Sequence, residues 1–468
     1  MAASGDTINF SISGTITLVS GELLMTNNLT IAGSGATNLA ISGGNISRVF
    51  EIGSNAVVSI LGLAIRDGHA SDGGPTGAQG ANGGGIYNSG TLMLSACTVS
   101  GNVAGGGTLG RGGGNGGGIY NEGTLSLNAC TLSSNSAGSG SFAGFGDFGS
   151  GGAGGHGGGI LNYNMLALTN CTVSANVGGA GGHGGGGYYI GSAGGAGGSG
   201  GGIYNAGTST VIACTVSGNF GGGGGVGGNG FLSYAGGSPG GAGGSGGGIF
   251  NTATVSADSQ NLLAALNSGG TGGVGGTGPS GSGSPGLSGA GPDVAGPFTS
   301  HGHNLIGQAD GSIGFTNGIN ADLAGTTFAP LNPLLGPLAN NGGPTLTMAL
   351  LPGSPAIDAG DDALLSAPFY LATDQRGLPR RSGAHVDIGA LELQALMVTG
   401  ISKDGNDIVL SLIAEVGQTY RVEGTDSLFP AAWSIVADYL PGNGSTAQVR
   451  DTGGATHTQR FYRGRALP

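Results

Sequence analysis

Charge is scarce in this sequence. Charged residues make up 8% of its 468 positions, Lys403 is the sole lysine, and the formal net charge is −12. Nucleic-acid phosphates require clustered lysine and arginine, so the composition argues against a nucleic-acid partner. A run of about 18 or more apolar residues is also lacking, so no transmembrane segment is expected. The opening MAASGDTINF has neither the basic region nor the apolar core of a signal peptide, so an exported form is expected to have had a leader before it.

Glycine is the residue in excess. It supplies 113 positions, about a quarter of the chain, against a usual share of roughly 7%. Such an excess would indicate disorder if apolar residues were missing, but they make up 38% of the chain, with Val, Ile and Leu throughout. The composition therefore predicts a buried core that coexists with glycine-rich segments.

An internal repeat organises the first 290 residues. Four segments align without gaps from Gly83, Gly116, Gly157 and Gly200, namely GGGIYNSGTLMLSACTVSGN, GGGIYNEGTLSLNACTLSSN, GGGILNYNMLALTNCTVSAN and GGGIYNAGTSTVIACTVSGN, and a degraded fifth begins at Gly246. The spacing between them grows while the matching block stays constant, so all growth lies in the glycine-rich spacers. A fixed unit with variable loops is typical of a solenoid.

Within each block the apolar residues alternate as in a β-strand. The leucines of TLML and TLSL fall two residues apart, and Gly interrupts every longer stretch. Twenty extended residues at about 3.3 Å each give a perimeter of roughly 66 Å, which suits one turn of a three-sided coil. The sequence therefore predicts an all-β fold, a right-handed parallel β-helix over residues 1–291, with one block per rung and Leu63 stacked with the block cysteines.

Stacked rungs would place equivalent residues about 4.8 Å apart along the axis. Two asparagine ladders are then expected, formed by Asn88, Asn121, Asn162 and Asn205 and by Asn102, Asn135, Asn176 and Asn219. The four cysteines, Cys97, Cys130, Cys171 and Cys214, would form an inward column. They could form two disulfides, but Cβ atoms about 4.8 Å apart exceed the usual 3.8 Å or so, which favours free buried thiols.

The glycine spacers have a three-residue period, as in the repeated GGAGGHGGG from Gly151 and from Gly178. This period is that of a polyproline-II-type helix in which glycine lets chains approach closely. We expect a hairpin of two such helices per rung, and the tips would be Phe142–Phe148, Tyr188–Ile190 and Phe231–Tyr234. An ordered layer would align Asn115, His156, Ser199 and Ser245 in one column. The alternative is a set of disordered surface loops.

Residues 292–394 contain strings such as GPDVAGPFTSHGHNLIGQADGSIGF and TDQRGLPRRSGAHVDIGALE. They resemble the choice-of-anchor Q region of bacterial surface proteins, and the rungs before them resemble polymorphic outer-membrane-protein repeats. The resemblance implies a secreted or surface-displayed β-helix, and no defined catalysis. Prolines in this region would stop strand pairing, so it is expected to cap and complete the β-helix.

Residues 397–468 contain short strand-like segments separated by turns, which predicts a small C-terminal β-sandwich. With its YRVE, single Trp433 and RFYR motifs, this segment is similar to a short C-terminal β-module of secreted proteins from Verrucomicrobia and related bacteria. Surface attachment and simple capping are both compatible with such a module.

Two groups of residues are candidate sites. His156 and His183 lack carboxylate partners in the repeat, so hydrogen-bonded histidines are favoured over metal ligands. The second cluster lies in the capping region, where a carboxylate pair with arginine clamps is less favoured than a network that holds turns. Its members are Asp358, Asp374, Arg376, Arg380 and Asp387.

The predicted function is that of a structural or adhesive protein, secreted or on the cell surface, without catalysis or cofactor. Its partners would be cell-surface glycans or other copies of itself. The alternative is a carbohydrate-binding or polysaccharide-cleaving β-helix enzyme, but residues 80–250 contain only Arg111, Glu122 and Asp147 as charges, too few for a lyase face. A minor alternative is binding to ice or hydrated surfaces, for which no regular threonine array is evident.

Overall fold

The computed structural model describes residues 3–144, 149–252, 255–394, 396–414, 419–442 and 446–467. The chain divides into two compact units, Met1–Asn332 and Pro333–Pro468, here called unit 1 and unit 2. Unit 1 is a parallel β-helix, which confirms the predicted fold class. Its rungs pass in turn through three parallel sheets, which hold nine, ten and nine strands within the described residues.

The first sheet contains Asp6–Asn9, Leu29–Ala32, Val57–Leu61, Thr91–Ser95, Thr124–Asn128, Met165–Thr169, Thr208–Ile212, Ala257–Gln260 and Thr299–Ser300. The second contains Gly14–Thr17, Leu39–Ser42, Ala64–Arg66, Thr98–Ser100, Thr131–Ser133, Thr172–Ser174, Thr215–Ser217, Leu263–Ala265, Leu305–Ile306 and Leu323–Ala324. The third contains Leu23–Met25, Phe50–Ile52, Ile86–Asn88, Ile119–Asn121, Ile160–Asn162, Ile203–Asn205, Ile249–Asn251, Val294–Pro297 and Ser312–Ile313. A short 3₁₀ helix, Ile319–Ala321, precedes the last strand of the second sheet.

The repeated blocks stack in register, as their constant length predicts. Thr91 pairs with Thr124, and Asn88 pairs with Asn121, so identical positions meet from rung to rung. Sharp corners separate the sheets, and the corner before each cysteine has a residue with a left-handed backbone, such as Ala96 with φ 51°. The corner therefore recurs at the same place in each block.

Columns of apolar side chains fill the interior. The isoleucine column of the third sheet is at most 3% exposed, and its members are Ile86, Ile119, Ile160, Ile203 and Ile249. Leu63 lies above Cys97, since the neighbouring Thr98 N–H donates to the Leu63 carbonyl, and both side chains are fully buried. Burial of such side chains contributes about 1.5–3 kcal/mol each, which makes these columns the main source of stability.

Unit 2 contains antiparallel sheets. One pairs Leu335–Ala339 with Thr347–Leu350, and 3₁₀ helices lie at Asp362–Leu365 and Gly454–Thr456. Two three-stranded sheets follow, formed by Met397–Asp404, Asp407–Ile413 and Thr446–Asp451 and by Ser434–Pro441, Thr419–Thr425 and Phe461–Leu467. Leu410, Leu412, Val422 and Val449 form the buried core of this pair of sheets.

The predicted domain limits at 291 and 394 stay a prediction, and the two compact units meet between residues 332 and 333. Residues 292–324 add strands to all three sheets of the β-helix, whereas Pro333 begins unit 2. That residues 333–394 cap the β-helix stays a prediction.

The glycine-rich spacers form hairpins between the second and third sheets. Parallel bridges join the first residues of successive hairpins, and a glycine with positive φ ends each one. We call them hairpins 1 to 6, and they lie within residues 69–83, 103–116, 136–157 (of which 145–148 are outside the described residues), 177–200, 220–246 and 268–291. Each has an outgoing and a returning arm, and together the hairpins form what we call the glycine layer.

One row of backbone hydrogen bonds crosses the whole glycine layer. It alternates between outgoing and returning arms, and each N–H donates to the preceding carbonyl over 2.7–2.9 Å. The row runs through Ala81, Gly105, Gly114, Gly138, Gly155, Gly179, Gly198, Gly222, Gly244, Gly270 and Gly289. Other bonds join arms of the same kind, such as Gly140 N–H to the Ala180 carbonyl at 2.8 Å. In the described residues the spacers are therefore ordered.

Close approach explains the glycine at two of every three positions. A Cβ atom on Gly155 would lie 1.9 Å from the carbonyl oxygen of Gly114, which is far too close for two non-bonded atoms. A Cβ atom on Gly179 would lie equally close, 1.9 Å, to the carbonyl oxygen of Gly138. The third position points outward, so Ala153 and Ala180 are exposed. The three-residue period of the sequence therefore arises because two of every three positions face a neighbouring arm and the third does not.

Gly155→Ala is expected to destabilise unit 1 by about 1–3 kcal/mol, because the new methyl group overpacks the row. Hydrogen exchange followed by mass spectrometry should show faster exchange in peptides from hairpins 2 to 4. The matched control is Ala153→Ser, on the outward face of the same arm, which should leave exchange unchanged. Equal protection in Gly155→Ala and the wild type would contradict the close-packed layer.

Candidate functional site

The first predicted asparagine ladder lies inside the third sheet. Asn88 donates from Nδ2 to Asn121 Oδ1, and the same bond repeats from Asn121 to Asn162 and on to Asn205, each over 2.7 Å. The structure extends the ladder to Asn251, which donates to the carbonyl of Pro297. These side chains are at most 1% exposed. The ladder therefore stabilises the stack and is closed to a ligand.

In the second predicted ladder the Oδ1, the Nδ2 and the backbone N–H of each asparagine all form hydrogen bonds. In each step the backbone N–H and the Nδ2 of one asparagine donate to the next Oδ1, at 3.1 and 2.9 Å between Asn102 and Asn135. Asn135, Asn176 and Asn219 continue the pattern. The ladder continues beyond the predicted residues, because Asn219 donates to Asn267 and Asn267 donates to Asp293.

Asp293 ends the second ladder because a carboxylate accepts hydrogen bonds and donates none. One oxygen accepts both bonds from Asn267, and the other accepts the Gln308 N–H over 2.7 Å. Burial raises the pKa of Asp293 to about 6. In the strand register Asp293 is equivalent to Gly248 and to no asparagine of the block, so the repeat gave no signal for it.

The four cysteines lie in one column and are free and buried. The N–H of Cys97 points to Cys130 Sγ at 3.4 Å, and the same contact joins Cys130 to Cys171 and Cys171 to Cys214. Burial raises the pKa of the Cys130 and Cys171 thiols well above the usual range. Thiols that stay protonated and shielded are poor nucleophiles and poor metal ligands.

Aromatic rings form a partly exposed column on the outer face of the third sheet. Tyr87 stacks on Tyr120 with centroids 5.1 Å apart, and Tyr204 stacks on Phe250 at the same distance. Glu122 accepts both the Tyr87 and the Tyr120 hydroxyl, over 2.7 and 2.8 Å. Both carboxylate oxygens of Glu122 thus accept hydrogen bonds from the tyrosines. The faces of the stacked rings are covered by neighbouring rings.

The returning arms align the predicted column of Asn115, His156, Ser199 and Ser245. Each side chain accepts the N–H of the next member, with Asn115 Oδ1 to His156 N at 2.8 Å and His156 Nδ1 to Ser199 N at 2.9 Å. Burial lowers the pKa of His156, whose ring stacks on Tyr204. His183 lies on the other arm and accepts the Val226 N–H. The two histidines are therefore separate, hydrogen-bonded members of the layer.

A shallow groove crosses the returning arms of hairpins 1 to 4. Its volume is about 730 Å³, and its polar lining includes Gln79, Arg111, Asn115, Ser150 and His156. Most of the lining is glycine and alanine backbone. The groove offers amide and hydroxyl groups and one guanidinium, without a carboxylate among its lining residues.

The hairpin tips carry exposed aromatic side chains. Tyr188, Tyr189 and Ile190 lie at the tip of hairpin 4, and Phe231 and Tyr234 lie at the tip of hairpin 5. These positions agree with the predicted tips. Of the predicted tip Phe142–Phe148, residues 145–148 lie outside the described residues, as does the predicted charge Asp147.

Four members of the charged cluster of the capping region, Asp374, Arg376, Arg380 and Asp387, are buried in unit 2, whereas Asp358 is exposed. Asp374 and Arg376 form an ion pair at 2.8 Å, and both side chains are nearly inaccessible. Arg380 donates to the carbonyls of Asp387 and Gly389.

The carboxylates of this cluster accept backbone N–H groups, as Asp387 does from Asp358 and Leu393. Glu392, missed by sequence analysis, accepts from Ser382 and Asp387. Each of these bonds holds a turn, so the arrangement is that of a structural network.

Among the described residues, no group of three or more His, Cys, Asp or Glu side chains is placed to hold a metal ion. Nor does the described part contain a helix of the length and apolarity needed to cross a membrane. Fold and surface together define a parallel β-helix that carries a glycine layer. No known family matches the chain, and no curated protein is significantly similar to it. The resemblances to surface-protein families therefore stay predictions.

The thiol column predicts a clear chemical result. A thiol reagent such as Ellman's reagent should label none of the four cysteines in the native protein, because burial excludes both reagent and thiolate. After denaturation without reductant, all four should react. Labelling of only two, or labelling before unfolding, would contradict a column of free buried thiols.

A second prediction concerns Glu392. Burial, with repulsion from Asp387, raises the pKa of Glu392 from 4.5 to about 8. Its proton is held more tightly in the fold than in the unfolded chain, so the free energy of unfolding falls as pH rises through this range. Glu392→Gln removes this titration and should reduce the fall between pH 6 and 8 by on the order of 2 kcal/mol.

The measurement is urea denaturation followed by fluorescence of Trp433, the single tryptophan, which lies in unit 2. Asp404→Asn is the control, because Asp404 pairs with Arg450 at an exposed position where ion pairs contribute little. An identical pH profile for Glu392→Gln and the wild type would contradict the proposed titration.

Proposed function

We propose that this chain is a secreted or surface-displayed structural or adhesive protein that acts without catalysis. The β-helix would be a rigid support, and the glycine layer would display side chains at defined positions. The unbroken row of hydrogen bonds from Ala81 to Gly289 carries this proposal. A layer ordered by so many bonds holds its outward side chains in place, which lowers the entropy lost on binding.

The placement of charge also supports a role without catalysis. Glu122 is held by two tyrosine hydroxyls. The carboxylates of the unit 2 cluster are engaged by backbone N–H groups. A hydrolase needs two carboxylates that face a cleft, and a lyase needs a base that reaches the substrate. The described groove contains Arg111 and no carboxylate.

The location of the protein is proposed from composition and resemblance. Low charge, abundant glycine and the likeness of residues 292–394 to a choice-of-anchor Q region favour display outside the cell. Four free cysteines are compatible with this because each is buried and shielded from oxidants. Cell-surface glycans and other copies of the chain are the proposed partners.

The test compares binding with cleavage. The purified full chain should be retained by bacterial cells or insoluble polysaccharides, while the polysaccharides release no new reducing ends or unsaturated uronates. Gly155→Ala should weaken retention by disturbing the layer, and Ala153→Ser should not. Cleavage of a uronic-acid polymer that stops on Ca²⁺ chelation would replace this proposal with the polysaccharide-cleaving alternative.

A further inference from the structure

We propose that the tips of hairpins 4 and 5 form a binding site for neutral polysaccharide. The site consists of Tyr188, Tyr189 and Ile190 from hairpin 4 with Phe231 and Tyr234 from hairpin 5, and we call it the tip cluster. The inference rests on the proposed function, since it names a ligand class for a protein that binds without cleaving.

The tip cluster exposes an unusual amount of aromatic surface. Tyr188, Tyr189 and Tyr234 are 63–65% exposed, and Phe231 is 55% exposed. Tyr189 and Tyr234 lie with ring centroids 5.9 Å apart and planes inclined by 42°. The two rings therefore form adjacent inclined surfaces, in contrast to the tyrosine column of the third sheet, whose ring faces are stacked on each other.

Backbone contacts hold the two tips together. Gly187 pairs with Gly230, and Ile190 pairs with Gly236, as parallel bridges. The N–H of Leu232 donates to the Tyr188 carbonyl over 2.9 Å. The Phe231 ring packs over Gly186, where a Cβ would lie 2.7 Å from the ring. The cluster is thus positioned before any ligand arrives, which reduces the cost of binding.

The surroundings of the tip cluster select an uncharged ligand. Residues 148–257 contain no Asp, Glu, Lys or Arg, so the two hairpins offer no counter-charge to an acidic or a basic ligand. The available groups are aromatic rings, tyrosine hydroxyls, the exposed Ser233 and the Nδ2 group of Asn229, whose Oδ1 accepts hydrogen bonds from Thr277. The C–H-lined face of a sugar ring packs well on the electron-rich face of an aromatic ring, and sugar hydroxyls pair with such polar groups.

The size of the tip cluster fits a sugar chain better than a protein partner. Five side chains at about 60% exposure offer roughly 600 Å², because an aromatic side chain presents about 150–250 Å². Each partner in a stable protein interface buries about 800 Å². A few sugar units of a neutral chain would cover the cluster, whereas a second copy of this protein would need additional surface.

The experiment uses the full chain in native affinity gels, where its net charge of −12 provides mobility. Gels contain a neutral β-glucan, mannan or galactan, or the acidic polymers alginate and polygalacturonate. At least one neutral polymer should retard the protein and the acidic ones should not. Retardation should change little between about 50 and 500 mM NaCl, because no charge pair is screened.

Tyr189→Ala with Tyr234→Ala should raise the dissociation constant for the neutral polymer about tenfold or more, since central aromatic residues dominate such contacts. Tyr189→Phe with Tyr234→Phe, which keeps both rings, should restore most of the affinity. The matched control is Phe328→Ala, an aromatic residue that is 99% exposed elsewhere in unit 1. It should bind as the wild type does. Shielded thiols in every variant would show that the β-helix is intact.

Any of four other outcomes would overturn the proposal that the tip cluster binds neutral polysaccharide. These outcomes are no retardation by any neutral polymer, preference for the acidic polymers, wild-type affinity of the double alanine variant, or concentration-dependent dimers that the variant loses. Retention of the alanine variant by cells, with unchanged glycan affinity, would remove this site and leave the proposed function. Release of reducing ends would remove the proposed function itself.

Discussion

Backbone hydrogen bonding between successive rungs is the constraint on which the rest of the structure depends. In the β-helix it places Asn88 over Asn121, and it continues beyond the third sheet's edge into the glycine layer. Ordering a glycine costs about 0.5–1 kcal/mol more than ordering an alanine. A hydrogen bond returns only about 0.5–1.5 kcal/mol net. A single glycine arm therefore gains little by ordering. The β-helix makes order favourable because it fixes both ends of every hairpin at the spacing of the rungs.

The features that repeat were accessible from the sequence. Asn121 and Asn162 occupy the same place in blocks of equal length, so their contact follows once the rungs are stacked. The alignment of His156 with Ser199 follows from the three-residue period, since only one face of each arm has room for side chains. Periodicity predicts such contacts because every rung is subject to the same geometry.

The features that occur once were harder to predict. Asp293 meets Asn267 although the last block is degraded, and Glu392 contacts Ser382 and Asp387 within a segment that lacks periodicity. The bridge between Gly187 and Gly230 depends on how two hairpins of different length turn. These contacts depend on local turns that no other rung repeats, so the sequence offers no second copy against which to align them.

Buried polar groups stabilise the fold, whereas exposed side chains at the hairpin tips are placed to meet a ligand. Buried amides and carboxylates are occupied by one another and by the backbone, as in the ladder that ends at Asp293. Their burial would make any unmatched group costly, so they have little freedom to serve a ligand. Larger exposed side chains occur where the arms of the glycine layer turn. Tyr189 and Tyr234 lie there on backbone that is already fixed by its neighbours. Recognition is therefore expected at the tips, where the side chain can vary without disturbing the stack beneath it.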